Sequence, residues 1–558
     1  MNKMFLHRAA VGAALAGLGI LAPACSLDRQ PFTEISSAVV YTDFANYKPL
    51  LAKLYAGLAT SGQKGPDGNV DITGIDEGFG QYLRAYWTQE ELPTDEALIA
   101  WDDQTIKNYH AMAWSPSDVF NRAMFSRIYY QISACNEFLR RTGDGDLSKN
   151  GITGDQAAQV RTFRSEARFL RALSYWHALD FYGNVPFVTE NDEVSAAFKP
   201  RQASRAEVFN YVESELKAIA DDGGTAATQL LAPRTNEYAR ADKAAAWTLL
   251  AKLYLNAEVY LGAGNGKYTE CITYCNKVFR AGYALNSSGG LPANTNTAYR
   301  NLFRADNHSS PEFIFPIAFD GIRTKGYGGT TYLVNASIGG AMRPAAFGVP
   351  NGGWAGLRTT SALVNLFPDT TQACPDRRFL FYTKGQTLNI VNVGGFASGF
   401  AFKKWTNKTS NGVDGSDPEG KFPDTDFPMF RLGDVNLMYA EAVLRNGSGG
   451  DRATALAKIN DLRERAYNVR PGTVNQAGNI TDSDLTLPFI MDERARELFA
   501  EGHRRTDLIR FSKFVSGYTW PWKGGVAAGR DADAYRVLYP IPTADLNSNP
   551  TLVQNQGY

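Results

Sequence analysis

The stretch ERARELFAEGHRRTDLIRF, residues 493–511, sets acids and bases in near alternation, dense enough to raise the question of acid/base chemistry. General acid/base work needs two carboxylates facing a cleft with pKa values pushed apart. Here Glu493, Glu497, Glu501 and Asp507 each have an arginine three or four positions away. That spacing favours ionised, paired groups, and predicts a structural ion-pair network at a helix-turn-helix corner. The first helix is expected over 485–500, stopped at Gly502, and a short second one over 506–514. No G-x-S-x-G, H-E-x-x-H or phosphate-cradling glycine loop occurs elsewhere. Metal chemistry has equally little to work with. Cys271 and Cys275 lie one helical turn apart without a second Cys or His pair at metal spacing. They read as buried small hydrophobes, with a disulfide left open. The loop DGNVDITGIDE from Asp67 opens like a calcium loop. It has Ile72 where glycine must turn the chain and Gly78 where a bidentate Glu must stand, which excludes an EF-hand. A different structural calcium site on a loop is left open; no other cofactor and no metal site is expected.

The elements able to position functional groups are helices and long loops. Over 161–183, Phe163, Ala167, Leu170, Ser174, His177 and Phe181 recur at steps of four and three and share one helix face. The patterns over 245–260 and 432–445 are similar, mixing small and large residues so that a neighbouring helix can approach closely. Further amphipathic segments follow at 206–220 and 268–281, and such degenerate pairs point to a tetratricopeptide-like solenoid. Residues 60–118 and 283–430 do not fit helices. They are rich in glycine and aromatic residues, with only short strand-like runs such as EFIFPIAF, 312–319. Loops of that length inside a domain are usually functional.

The N-terminus reads as a targeting segment: Lys3 and Arg8 precede an apolar run too short to span a bilayer as a mature helix, closing on LAPAC at Cys25. This is similar to a lipoprotein signal covering 1–24, with Cys25 as the lipidated residue, although Leu21 stands four rather than three positions before it. An acyl anchor would hold the protein on a membrane rather than in one. Lys plus Arg and Asp plus Glu both number 57, so the net charge is zero and there is no basic excess for nucleic acid.

Several motifs occur in order: LPTDE at 92–96, ARFLRALSYWHALDFYGNVP at 167–186, RLGDVNLMYAEA at 431–442, ALAKINDLRERA at 455–466, ERARELFAEGHRRTDLIR at 493–510 and the closing YPIPTADLNSNPTLVQNQGY at 539–558. Together with Cys25 the chain resembles the SusD/RagB family of Bacteroidetes surface lipoproteins over nearly its full mature length. The resemblance implies a mainly α fold of tetratricopeptide-like helix pairs with long irregular loops and a few short strands. It divides the chain into a region 25–230 and a C-terminal region 231–558 with a loop-rich insert at about 283–430. It also implies a non-catalytic glycan-binding lipoprotein of the outer membrane, facing the cell exterior. Such a protein delivers oligosaccharide or polysaccharide to a SusC-like TonB-dependent transporter. Some members take peptides instead, which is the alternative within the family.

A sugar ring offers apolar C–H faces and a belt of hydroxyls, so the site should combine flat exposed aromatics with polar side chains. Trp101, followed by Asp102 and Asp103, comes just after LPTDE, where family members often place a binding tryptophan. The glycine-rich run 326–356 adds Tyr327, Tyr332, Asn351 and Trp354, the last within NGGWAG. Tyr82 and Trp87 are assigned to packing, and Trp520 and Trp522 to surface packing or partner contact. A glycoside hydrolase would need two carboxylates about 5–10 Å apart across a cleft; Asp102 with Asp76 or Glu77 are the nominees, unsupported by spacing.

Overall fold

The computed structural model describes residues 40–66, 70–195, 197–221, 228–286, 298–468 and 475–558. The signal segment, Cys25 and the start of the calcium-like loop at Asp67 lie outside the described residues. The longer helices are α1 (Tyr47–Ala59), α2 (Tyr82–Glu91), α3 (Gln104–His110), α4 (Val119–Arg141), α5 (Gly154–Tyr182), α6 (Arg205–Ala220), α7 (Lys243–Leu255) and α8 (Tyr268–Phe279). After the loop-rich region, in which α9 (Gly329–Ala336) is embedded, come α10 (Leu432–Leu444), α11 (Arg452–Tyr467), α12 (Leu487–Leu498) and α13 (Arg504–Arg510).

Side-chain caps fix where several of these begin. Asp118 accepts from the amides of Phe120 and Asn121, Asp242 from Ala244 and Ala245, and Ser204 with Glu207 closes a capping box. From α4 to α8 each helix packs on the next, and the succession continues with α8 on α10 and α10 on α11. This is the succession of helix pairs expected of the sequence. Ala244, Ala245, Ala246 and Ala251 are fully buried in α7, where small side chains leave room for its neighbours α6, α8 and α10.

Three expectations are corrected. Residues 60–118 and 283–430 are not helix-free: α2 and α3 lie within the first and α9 within the second, and in α2, which Gln81 caps, Tyr82, Leu83, Tyr86 and Trp87 are all buried. Its polar residues Thr88, Gln89, Glu90 and Glu91 are buried along with its aromatics, within a stretch whose glycines and aspartates read as loop. The helix read over 245–260 stops at Leu255, where Asn256 folds its side chain back onto the Lys252 carbonyl at 2.9 Å, and a separate five-residue helix covers Ala257–Leu261. The helix expected at 506–514 instead spans Arg504–Arg510, because Ser512 takes a left-handed conformation (φ 55°) that ends it.

Short strands order the loops. β1 (Leu98–Ile99), β3 (Leu357–Thr359), β4 (Phe381–Tyr382) and β5 (Phe400–Phe402) form a four-stranded antiparallel sheet in the order β1-β3-β5-β4. β2 (Phe313–Ile317) pairs antiparallel with β6 (Phe427–Arg431). Residues Lys48–Tyr558 form one compact unit. No helix among the described residues is long and apolar enough to cross a membrane.

The charged stretch is a buried ion-pair network, as its spacing indicated, but most of its partners come from elsewhere. Only Arg496 with Glu493 is a pair within α12. Glu493 also receives Arg378 and Arg463, both at 2.8 Å. Glu497 receives Arg431 at 2.7 Å and Arg378 at 3.2 Å, and pairs with Arg465. Glu501 receives Lys404 and Arg431, each at 2.7 Å. Although burial opposes ionisation, Arg465, Arg431 and Arg378 hold the Glu497 carboxyl down at about 2. The network ties α11, α12, β6 and the 376–404 loops into one scaffold. Cys135, Cys271, Cys275 and Cys374 are buried free thiols. Trp520, expected near the surface, is buried.

Candidate functional site

The aromatic residues singled out at 101 and 327–354 converge. Antiparallel pairing of β1 with β3 sets Leu98 opposite Arg358 and Ile99 opposite Leu357, and Ala100 N–H donates to the Gly356 carbonyl at 2.9 Å. Trp101 therefore emerges beside the end of the NGGWAG loop, and its indole Nε1 donates to the Trp354 carbonyl at 2.9 Å. The indoles of Trp101 and Trp354 lie 6.5 Å apart, tilted by 47°, and Tyr327 continues the row 6.2 Å from Trp354. All three rings are half-buried, with one part anchored and another in solvent.

The Trp354 loop is shaped by α9. The Trp354 amide donates to the Asn335 carbonyl and that of Ala355 to the Ile338 carbonyl, both at 2.8 Å, while Asn335 Oδ1 accepts from Gly353 at 3.1 Å. Gly353 sits at φ 97°, where a side chain would be strained.

Tyr332, expected to face ligand, is a correction: on the inward side of α9 it is 1% exposed. Its ring stands edge-on to both Trp101 (6.2 Å) and Trp87 (5.5 Å) and supports Trp101 from below. Its hydroxyl is buried without a hydrogen-bond partner, and burial pushes the phenol well above its usual pKa. Tyr82 and Trp87 are packing residues, as assigned; the Trp87 indole donates to the Ala500 carbonyl at 3.0 Å.

Arg84 was missed. From α2 its guanidinium lies 4.3 Å from the centroid of Tyr332 and 5.9 Å from that of Trp101, and it donates to the Tyr327 carbonyl at 2.9 Å. Burial lowers its pKa, while Tyr332, Asp76 and Asp103 oppose that. The only sequence signal was an arginine inside the aromatic run QYLRAYW. Asp102 is exposed and pairs with Lys107 at 2.6 Å, whose hydrogen bond holds its carboxyl below the usual range. Asp103 is exposed at the start of α3 with no side-chain capping bond. Asn351 is exposed as well, its amide donating to the Glu419 carbonyl at 2.8 Å.

The site is thus a short row of tilted rings with Arg84 behind it and Asp102, Asp103 and Asn351 on the flanking loops. Flat apolar faces beside single polar groups suit stacking on a ring that carries hydroxyls. Among the described residues no group of three or more His, Cys, Asp or Glu is placed to hold a metal ion.

Two family models match the chain: the SusD family over residues 375–558, and "starch-binding associating with outer membrane" over 34–255. A starch-binding protein, SusD, of Bacteroides thetaiotaomicron is 35% identical over 91% of this chain and 92% of its own length. A SusD-like protein of Formosa agariphila is 26% identical over 71% of this chain and 73% of its own. Among solved structures, a surface glycan-binding protein of Bacteroides fluxus superposes with a TM-score of 0.66 at 18% identity, covering 92% of this chain and 99% of that one. A SusD-like carbohydrate-binding protein of Bacteroides fragilis gives 0.67 at 19%, over 92% and 100%. The matched motifs, the helix-pair fold and the full-length identity lead to one assignment: the chain belongs to the SusD/RagB family.

Proposed function

We propose that the protein is a cell-surface glycan-binding lipoprotein that captures oligosaccharide without turning it over and passes it to a SusC-like TonB-dependent transporter of the outer membrane. The observation that carries this reading is the half-buried row Trp101–Trp354–Tyr327, held rigid by α2 and α9 in a chain 35% identical to a starch-binding protein. Trp101 and Trp354 stack on sugar faces, Tyr327 extends the row, Asp102, Asp103 and Asn351 meet hydroxyls, and Arg84 supports the row from behind. Tyr332 positions Trp101 and touches no ligand. Starch oligosaccharides are the first ligands to try, given the relative's name. Cys25 carries the lipid that retains the protein at the outer membrane.

The test is calorimetric titration of the chain, started after Cys25, with starch oligosaccharides and a panel of other glycans and peptides. Saturable binding to a glycan, lost in Trp101→Ala, is the expected outcome. Heat from peptides alone would replace the reading with peptide capture, and release of reducing ends at enzyme-like rates would end the non-catalytic reading.

A further inference from the structure

A cavity of about 540 Å³ opens beside the loop that follows α9, lined by Arg300, Arg343, Lys384 and Lys403 together with Phe347 and Tyr382. It contains four cationic side chains and, among the described residues, no carboxylate. That is unlike the rest of this molecule. The buried Arg378, Arg431 and Arg504 each face carboxylates, and Arg358, which has none, donates from Nη1 to the loop carbonyls of Gly395 and Ser398 at 2.7 and 2.6 Å.

Arg300 has neither. Its Nε is buried with no hydrogen-bond partner, and burial lowers its pKa with no acid opposing the shift. Lys403 is lowered by burial and then by Arg300, and among the described residues its Nζ donates to the neutral Gln372 Oε1, at 2.9 Å. The nearest acid in sequence, Asp306, is occupied: its carboxylate accepts from the Ser410 amide and hydroxyl at 2.6–2.9 Å. The segment 287–297, SSGGLPANTNT, contains no acidic residue. Partly buried cations without counter-charge are costly unless something neutralises them, and the volume is that of a small-molecule site.

We propose that this cavity is an anion subsite for an acidic sugar, a monosaccharide-sized ring bearing a carboxylate or sulfate group. Arg300 and Lys403 take the oxyanion at the base, Arg343 and Lys384 screen it at the exposed rim, and Tyr382 and Phe347 offer apolar surface to the ring. The sugar part of this assignment rests on the glycan-binding reading; the anion part does not. Pro344, next to the lining Arg343 in the chain, lies close to Gly353 of the Trp354 loop, where a Cβ would stand 3.2 Å from Pro344 Cγ.

The experiment titrates glucuronate, glucose 6-sulfate, glucose and sodium sulfate into the soluble chain, into Arg300→Gln, and into the double variant Arg343→Ala/Lys384→Ala. Both rim residues are exposed, so the double variant keeps the test alive if Arg300→Gln fails to fold. One of the acidic sugars should bind saturably, at least about tenfold tighter than glucose or sulfate. It should lose about tenfold in each variant and weaken with added salt. No acidic sugar binding tighter than glucose, or unchanged affinity in both variants, overturns the proposal; sulfate binding as tightly as the sugars overturns the sugar assignment. Trp101→Ala should leave this binding intact. Loss of neutral-oligosaccharide binding in the intact chain, with acidic-sugar binding retained, would count against the aromatic row and not against the cavity.

Discussion

At Gly356 an added Cβ would stand 2.7 Å from Cε2 of the Trp101 indole, so the ring can lie flat against the β3 backbone only because that side chain is absent. Gly356→Ala should therefore push the indole outward and weaken glycan binding by roughly 1–2 kcal/mol, about tenfold, without unfolding the chain. Calorimetry together with a melting curve checks both halves. Tyr332 allows a cleaner separation of support from contact. Its hydroxyl is buried and unpartnered, so Tyr332→Phe removes a desolvation cost and should leave binding unchanged while stability holds or rises by about 1 kcal/mol. A tenfold loss of affinity in Tyr332→Phe would show that the hydroxyl meets ligand after all. At this scale the sequence identified the residue types and missed their depth. Trp101 and Tyr332 look alike as loop aromatics, yet one is half-buried and the other lies at 1% exposure. Only the turn of α9 separates them. Arg84 was hidden for the same reason, since its role depends on α2 facing α9.

Among the elements, α12 and α13 are held by charge as well as by buried apolar residues such as Ile490, Leu498 and Leu508. Glu497 accepts arginines from β6, α11 and the 376–378 turn, so Arg431→Ala would strand carboxylates in the core and should cost about 3–5 kcal/mol, read as a fall in the denaturant midpoint. The helix itself was legible from 3.6-residue spacing and from Gly502. Its partners were not, because Arg378, Arg431 and Arg465 are distant in sequence. The same region sets a pH profile. Glu497 and Glu441 are held at about 2 by their arginines, so their contribution is present above the unfolded carboxylate range and is lost as pH falls toward 2. Glu90 and Glu96 behave oppositely: burial raises them to about 8 and about 7. There the native state holds protons that the unfolded chain releases, so their contribution is full below about pH 4.5 and is lost as pH rises through 7 to 8. The melting temperature should peak near pH 5 and fall on both sides, and Glu96→Gln should flatten the decline between pH 5 and 8. A stability curve still rising from pH 5 to 8 would contradict this.

For the whole molecule, the ordered motifs carried the fold and the family, because a solenoid of helix pairs repeats short-range patterns that a sequence displays directly. The loops carried less. Residues 60–118 and 283–430 read as irregular, and the pairing of β1 with β3 that brings Trp101 to Trp354 joins segments more than two hundred residues apart. Local spacing cannot reveal such a contact. The anchoring half of the account is tested in cells: Cys25→Ser should move the protein from the outer-membrane fraction to the soluble one. Affinity capture of the lipidated protein should recover a large outer-membrane transporter, and its absence would count against the delivery role. The central claim concerns the aromatic row, and calorimetric titration of starch oligosaccharides and a glycan panel into the soluble chain, beside Trp101→Ala and Trp354→Ala, tests it most directly. The account predicts saturable binding to at least one glycan, weakened by about 2 kcal/mol or more, roughly thirtyfold, in each variant with the fold intact. Equal affinity in the intact chain and both variants would contradict it.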